Sequence, residues 1–431
     1  MMAKQDEFGR LEAENRRLKS AVEELSIIND ISTAINSTLS LDKIIELIVQ
    51  KCIKHLKVEQ GTVTLLESGG SENQFRTIMR KADQTTGYMP LHLDTQITGW
   101  MLVNKKPLVI DDLESDERFR TFESDGPLFR TLLSVPLILK GRIIGSINVF
   151  NKRGGEQFSE ADKRLLSIIA TQSAQVIENA RLYEEEQSLL KMREELEIAY
   201  NIQTGLLPRE APAIEGYDIA GRSVPATSVG GDYFDLIQLC DGRLFFCLGD
   251  ISGKGMPAAL LMSNMLATLR GQDLDGSSPA KILERSNHQM YRSTDPERFS
   301  TLFLGTLDPS GHKVHYGNAG HNLPILVRSD GTVDRLLTGD LVLGALDEVS
   351  FHEDVVSIGP GDTLFIFSDG ISEAIDVDDQ EFGEERIWKL ISEHRAESAQ
   401  RLVEEMIIAV GAHAGNMPQR DDVTMVVIKR R

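Results

Sequence analysis

Leu244-Phe245-Phe246-Cys247-Leu248-Gly249-Asp250-Ile251-Ser252-Gly253-Lys254-Gly255 runs from an unbroken apolar stretch into an aspartate set among glycines. The run Leu244–Leu248 predicts a strand. A strand end fixes a side chain accurately, and an adjacent glycine lets a ligand approach the backbone. Three other segments repeat the arrangement. Gly230-Gly231-Asp232-Tyr233-Phe234-Asp235 lies upstream, Ser368-Asp369-Gly370 follows the apolar run Thr363–Phe367, and Arg420-Asp421-Asp422-Val423-Thr424 opens the run Val423–Ile428. Each segment alone is also a common turn sequence. Carboxylates gathered from four strand ends repel one another unless a cation sits among them. With no matching set of Lys or Arg, the four aspartates point to oxygen-bound divalent metal, hence Mg²⁺ or Mn²⁺.

Working outward, further strands are expected at Thr301–Thr306 and Pro324–Val327, and helices at Pro257–Arg270, Ala280–Tyr291 and Gln400–Ala412. Strands, then a helix pair, then more strands predict layered α+β packing. This unit spans residues 209–431 and begins after Pro208, which stops the preceding helix.

Upstream, residues 25–183 alternate helix and strand signals. Ser40–Leu56 is amphipathic, and strands are expected at Gly61–Leu66, Pro107–Ile110, Ser134–Leu139 and Ile143–Asn148. Lys140-Gly141-Arg142 predicts a hairpin between the last two. Ser159 and Asp162 have the spacing of a capping box opening a helix that runs to about Leu207. Its seven-residue seam of Ile169, Val176, Tyr183 and Leu190 gives way to Leu189, Met192, Leu196, Ala199 and Leu206, a register slip of the coiled-coil kind. Residues 184–208 therefore read as a helical linker, paired with its twin in a homodimer. Leu11, Leu18 and Leu25 fall seven apart, with Phe8, Asn15, Val22 and Asn29 interleaved, so residues 1–24 read as an N-terminal coiled-coil helix. The alternative is one amphipathic helix packed on its own domain.

The 431 residues carry 46 basic and 66 acidic side chains, a net charge of −20. Such a chain is poorly suited to neutralising nucleic-acid phosphates. Cys52, Cys240 and Cys247 are too few and scattered for a disulfide framework or a zinc site, so a reduced, cytoplasmic protein is expected. Met1–Lys19 is charged throughout, unlike a signal peptide. The most apolar stretch, Leu132–Phe150, is broken by Pro136, Lys140, Gly141 and Arg142, so no membrane association is expected.

The ordered motifs G-G-D-Y-x-D, G-D-x-S-G-K-G, G-N-A-G-H-N-x-P, S-D-G-x-x-E and D-D-x-T, with the lead-in Ile198–Pro208, resemble the SpoIIE/RsbU-like branch of the metal-dependent protein serine/threonine phosphatases (PPM family) over residues 195–431. The resemblance implies an α-β-β-α sandwich with a two-metal site between the sheets. It implies that Asp250 bridges two Mn²⁺ or Mg²⁺ ions, that Asp232 and the main-chain carbonyl of Ile251 serve one, and that Asp369 and Asp421 serve the other. These four aspartates are the expected catalytic groups. Activated water would then attack the phosphorus of a phosphoserine or phosphothreonine in line, without a phosphoenzyme. Asp422 and Asp235 read as supports, and His321 in Gly317–Pro324 reads as structural. Arg222 is the nearest candidate for gripping phosphate.

Ile97-Thr98-Gly99-Trp100, Pro107–Asp112, Leu133–Leu137 and Phe158–Asp162 resemble a GAF sensor domain, which implies an antiparallel sheet with flanking helices. Asn151-Lys152, Phe158 and Asp162 match part of the signature of cyclic-nucleotide-binding GAF domains, but Lys163 stands where an acidic residue is expected. The domain is expected to bind a small molecule or a protein, or to dimerise. Gly230–Phe234 also echoes the diguanylate cyclase signature, yet Tyr233 replaces its Glu and the other aspartate motifs go unexplained. The expectation is a signal-regulated phosphatase acting on a phosphorylated protein, by resemblance a STAS-type anti-sigma-factor antagonist. The alternatives are a non-catalytic scaffold for that partner and a GAF-type small-molecule receptor.

Overall fold

The computed structural model describes residues 40–66, 75–81, 91–113, 115–119, 130–295 and 297–431, with isolated helical positions 11, 14, 15, 18 and 22. Apart from Leu11, Asn15, Leu18 and Val22, the N-terminal coiled-coil seam lies outside the described residues. The chain divides into two compact units, Met1–Lys191 and Met192–Arg431. Among the described residues, no helix is long and apolar enough to cross a membrane.

In the first unit, α1 (Leu41–Leu56) buries Leu41, Ile44, Ile45, Ile48, Val49, Cys52 and Leu56, one continuous stripe at helical spacing. It precedes β1 (Val58–Leu66), β2 (Phe75–Lys81), α2 (Leu91–Asn104), β3 (Leu108–Ile110), β4 (Leu132–Leu139) and β5 (Arg142–Lys152). These strands form an antiparallel sheet in the order β2-β1-β5-β4-β3. The β4–β5 hairpin closes where Leu139 faces Arg142, with both turn residues, Lys140 and Gly141, at positive φ. That is the turn whose twist suits a two-residue hairpin.

Alternation sorts the sheet residues. Val63, Leu65, Leu133, Val135, Ile147 and Val149 join the α1 stripe in the main core. Between them, Thr62, Thr64, Ser134, Ser146 and Asn148 form a buried polar row. Ser134 Oγ lies 2.5 Å from Asn148 Oδ1, and Asn148 Nδ2 donates to Thr62 Oγ1 at 3.1 Å.

The long helix α3 (Glu160–Leu206) opens with the expected reciprocal cap: Ser159 N–H donates to Asp162 Oδ2 at 2.8 Å and Asp162 N–H to Ser159 Oγ at 3.3 Å. Lys152 Nζ reaches the same Asp162 oxygen at 2.5 Å, so this part of the GAF-like signature ties the sheet to the helix. The helix runs unbroken through the predicted register slip, and Leu189, Leu190, Met192, Ile198 and Ile202 stand exposed along it.

The second unit contains β6 (Tyr217–Val224), β7 (Tyr233–Gln238), β8 (Leu244–Ile251), α4 (Met256–Arg270), α5 (Pro279–Ser293), β9 (Ser300–Asp308) and β10 (Lys313–Ala319). It continues with β11 (Ile325–Val327), β12 (Val333–Arg335), β13 (Asp354–Ser357), β14 (Thr363–Phe367), α6 (Asp369–Ser372), α7 (Gly383–Glu393), α8 (Ala399–Ala414) and β15 (Val423–Arg430). Two antiparallel sheets result, ordered β13-β10-β9-β8-β7 and β12-β11-β14-β15-β6.

The apolar runs follow from burial on both faces. Leu244, Phe246 and Leu248 meet Leu364, Ile366, Val426 and Ile428 between the sheets. Their alternates Phe245 and Cys247 pack under Met262, Leu266 and Ile282 of α4 and α5. On the other sheet Phe365, Phe367, Met425 and Val427 pack under Ile387, Leu402 and Met406 of α7 and α8. This is the expected α-β-β-α sandwich. Strands β6, β7, β10, β12 and β13 and helices α6 and α7 are additions to the sequence reading.

Candidate active site

Each expected aspartate sits where a strand begins or ends. Asp232 immediately precedes β7, and Asp250 lies near the end of β8 opposite Thr301. Asp369 opens α6 directly after β14, and Asp421 precedes β15. The first pair belongs to one sheet and the second to the other, so the site spans the mouth of the sandwich.

Asp422 organises the Gly230–Asp232 loop. Its Oδ1 accepts Ala226 N–H at 2.8 Å, and its Oδ2 accepts the N–H groups of Gly231 at 2.7 Å and Asp232 at 3.2 Å. A Cβ on Gly230 would lie 2.2 Å from Asp422 Oδ2. One on Gly231 would lie 2.8 Å from the Ile251 carbonyl oxygen and 3.3 Å from Asp250 Oδ1. These glycines are required because the loop passes that close to the acceptors. Ser368 joins the two halves of its own sheet: its Oγ donates to the Asp422 carbonyl at 3.0 Å and accepts Thr424 N–H at 3.0 Å.

The charges are mutually unfavourable. Asp232 is 4% exposed, and its Oδ2 has no hydrogen-bond partner. Burial holds its carboxyl well above the usual range, and Asp250 and Asp422 add to the effect. Burial, followed by Asp369 and Asp421, pushes Asp250 up to about 7. Burial and then Asp421 also raise Asp369. Lys254 faces this group, with Nζ 2.9 Å from Asp421 Oδ2 and a further bond to the Arg420 carbonyl. One half-exposed ammonium leaves most of the negative charge uncompensated.

Among the described residues, no three His, Cys, Asp or Glu side chains already converge as a closed metal cage. The donors nevertheless fit hard cations: carboxylates, a main-chain carbonyl at Ile251, an orphaned buried Asp232 oxygen, and a glycine that keeps the approach to Asp250 and Ile251 open.

The other candidates have structural roles. Asp235 is 3% exposed and pairs with Arg270 Nε at 2.6 Å, while Arg270 Nη2 donates to the Leu206 carbonyl at 2.7 Å. His321 is buried, with Nδ1 2.8 Å from Thr301 Oγ1 and Asn318 bonded to its backbone on both sides. Burial lowers its pKa to about 4, so it is neutral near pH 7. Arg222 lies exposed on β6 opposite Met425. Sequence reasoning missed Gln203, Lys254, Ser368 and Thr424. The G-K-G, S-D-G and D-D-x-T motifs contained the last three of these as unassigned letters.

Residues 240–431 match the family model for stage II sporulation protein E (SpoIIE), and residues 38–178 match a GAF domain model. Residues 38–178 are a GAF domain and residues 240–431 a SpoIIE-type phosphatase domain. It is 29% identical over 254 residues to the phosphoserine phosphatase RsbU of Bacillus subtilis, covering 58% of this chain and 75% of that one. It is 28% identical over 268 residues to the protein IcfG of Synechocystis, covering 55% of this chain and 42% of that one. The phosphatase fold also matches the PP2C domain of SiaA from Pseudomonas aeruginosa, with a TM-score of 0.51 and 20% identity over 57% of this chain and 99% of that one.

Proposed function

We propose that this chain is a cytoplasmic, signal-regulated protein serine/threonine phosphatase of a partner-switching pathway. Its substrate in this reading is the phosphoserine or phosphothreonine of a STAS-type anti-sigma-factor antagonist. The observation that carries the reading is the set of poorly compensated carboxylates near the buried Asp232, whose Oδ2 has no hydrogen-bond partner. A SpoIIE-type domain match and the likeness to RsbU support it.

Asp250 would serve two divalent ions, Mn²⁺ or Mg²⁺, with Asp232 and the Ile251 carbonyl on one side and Asp369 and Asp421 on the other. Ions held there supply charge that lowers the pKa of water toward neutrality and offsets the negative charge of a phosphate ester. The protein's own contribution is placement. Asp422 fixes the loop bearing Asp232, and Ser368 fixes the strand ends bearing Asp369 and Asp421. Lys254 presents a donor at the rim, where a phosphate oxygen would arrive.

The GAF domain and the α3 linker regulate this site in a homodimer. The exposed Leu189, Met192 and Ile202 on α3 support that pairing. Helix α4 begins five residues after Ile251 and is the element whose movement would complete the site.

The test is hydrolysis of a phosphoserine protein and of p-nitrophenyl phosphate by the full chain. Turnover requires added Mn²⁺ or Mg²⁺ and is lost in Asp250→Asn. Binding of the phosphoprotein without turnover under all metal conditions would favour the scaffold reading. Equal turnover by the full chain and residues 195–431, in monomer and dimer alike, would remove the regulatory part.

A further inference from the structure

A cavity of about 470 Å³ lies beside the candidate active site, within the roughly 300–1,000 Å³ range of ligand pockets. Asp421 and Gly370 belong to its wall. Its floor is apolar, with Val224, Ile407 and Val410 at the edge of the core beneath α8 and Met417 in the loop that follows, while Lys254, Gln419 and Arg420 add polar groups to the wall. Gly411 and Gly415 also line it, and a Cβ on either would meet nothing within 4 Å, so the last turn of α8 leaves the space open. Phosphate oxygens need donors and cations, which the Lys254 and Arg420 side of the wall offers and the apolar floor does not. The recess therefore fits a different part of the substrate.

Its position limits which part. A phosphate that reaches Asp250 and Asp421 brings the groups flanking the phosphoresidue over the cavity. An extended chain advances at most about 3.3–3.6 Å per residue, so only near neighbours of the phosphoresidue can enter. The rim narrows the choice. Glu373 and Glu381 both line it, and Glu373 already feels Asp369 and Asp421. Lys254 and Arg420 share that wall but are already paired with Asp421 and Asp379, so an acidic flank still meets net repulsion, whereas an aliphatic side chain loses only its hydration.

We propose that this recess is a specificity pocket for an aliphatic side chain of the phosphoprotein substrate, adjacent to its phosphoserine or phosphothreonine. The proposal rests on the phosphatase reading above. The pocket discriminates by burial of that side chain between Val410 and Met417, and by exclusion of carboxylates at the Glu373 rim.

The experiment uses the full chain with Mn²⁺ and a set of phosphoserine peptides carrying Leu, Ala or Glu at each of the three positions on either side. p-Nitrophenyl phosphate is assayed in parallel. At one flanking position Leu should exceed Ala in kcat/KM by about tenfold or more, as hydrophobic pockets discriminate, and Glu should be poorest. Ala414→Trp fills the recess and should bring the Leu-to-Ala ratio close to one. Met417→Ala, in the following loop, removes part of the wall and should lower the ratio as well. Turnover of p-nitrophenyl phosphate with no preference among peptides overturns the pocket and leaves the phosphatase reading standing. A ratio unchanged in both variants does the same. Failure to hydrolyse any of these substrates overturns both.

Discussion

Gln203, in the last turn of α3, clamps the peptide group flanks of Gly230: its Nε2 donates to the Gly230 carbonyl at 2.6 Å and its Oε1 accepts the Gly230 N–H at 3.0 Å. The loop so held carries Asp232 two residues later. Both bonds are buried, so removing them strands a donor and an acceptor away from water. Gln203→Leu should therefore lower the stability of the phosphatase domain by about 1–3 kcal/mol. Gln203→Glu keeps the acceptor but sets a buried carboxylate oxygen against the Gly230 carbonyl, and should cost at least as much. Urea denaturation followed by tryptophan fluorescence checks the order, and equal stability of all three proteins would contradict it.

Asp422 and Asp250 should fail in different ways. Three N–H groups converge on the two Asp422 oxygens, and an Asn there offers one acceptor instead of two. Asp422→Asn should raise the Mn²⁺ concentration for half-maximal activity by about 10–100-fold, as for outer partners of metal ligands. Activity should return at high Mn²⁺. Asp250→Asn should stay inactive at every concentration. Identical metal titrations of the two variants would show that the roles are not distinct.

Asp235 and Arg270 form an ion pair with its carboxylate buried and its guanidinium half-exposed. Arg270→Ala leaves that carboxylate with no counter-charge and only the Leu236 N–H, at 3.0 Å. The cost should be about 2–4 kcal/mol, at the low end of a broken buried pair because Arg270 reaches solvent. Replacing both residues with leucine removes the buried charge and should recover part of the loss. Thermal melts of the single and double variants decide the point, and a double variant less stable than Arg270→Ala would count against it.

His321 makes acid stability predictable in sign. Its ordinary value is 6.5, and burial lowers it to about 4 in the fold. Below pH 6.5 the unfolded chain takes up a proton that the folded chain refuses until about pH 4. The stabilisation is thus complete above pH 6.5 and is lost as pH falls toward 4, by about 3 kcal/mol in all. His321→Gln should flatten that part of the stability–pH profile. An unchanged slope between pH 6.5 and 4 would show that another group governs it.

The elements legible in the sequence were those with a covering layer on both sides. The runs Leu244–Leu248, Thr363–Phe367 and Val423–Ile428 are apolar throughout because each strand is buried on two faces. Strand β7 escaped notice because Asp235 interrupts it, and that carboxylate is tolerated only through Arg270, 35 residues away. Edge strands β12 and β13 are largely exposed and carry no apolar pattern. The four aspartates stood out because glycine or a strand end marks each of them. Gln203 did not, because nothing in an amphipathic helix distinguishes a glutamine that faces solvent from one that grips a distant backbone. The apolar recess beneath α8 was invisible for a similar reason, since Val224, Ile407 and Met417 belong to three separate segments.

Asp232 and Asp250 hang from one sheet, Asp369 and Asp421 from the other. Neither layer alone holds a complete set. On the proposed assignment of these four aspartates, a nascent or partly opened chain would have no competence for hydrolysis, and full closure of the sandwich would serve as its licence to act. Proteolytic fragments that retain a single layer would be harmless to phosphorylated proteins around them.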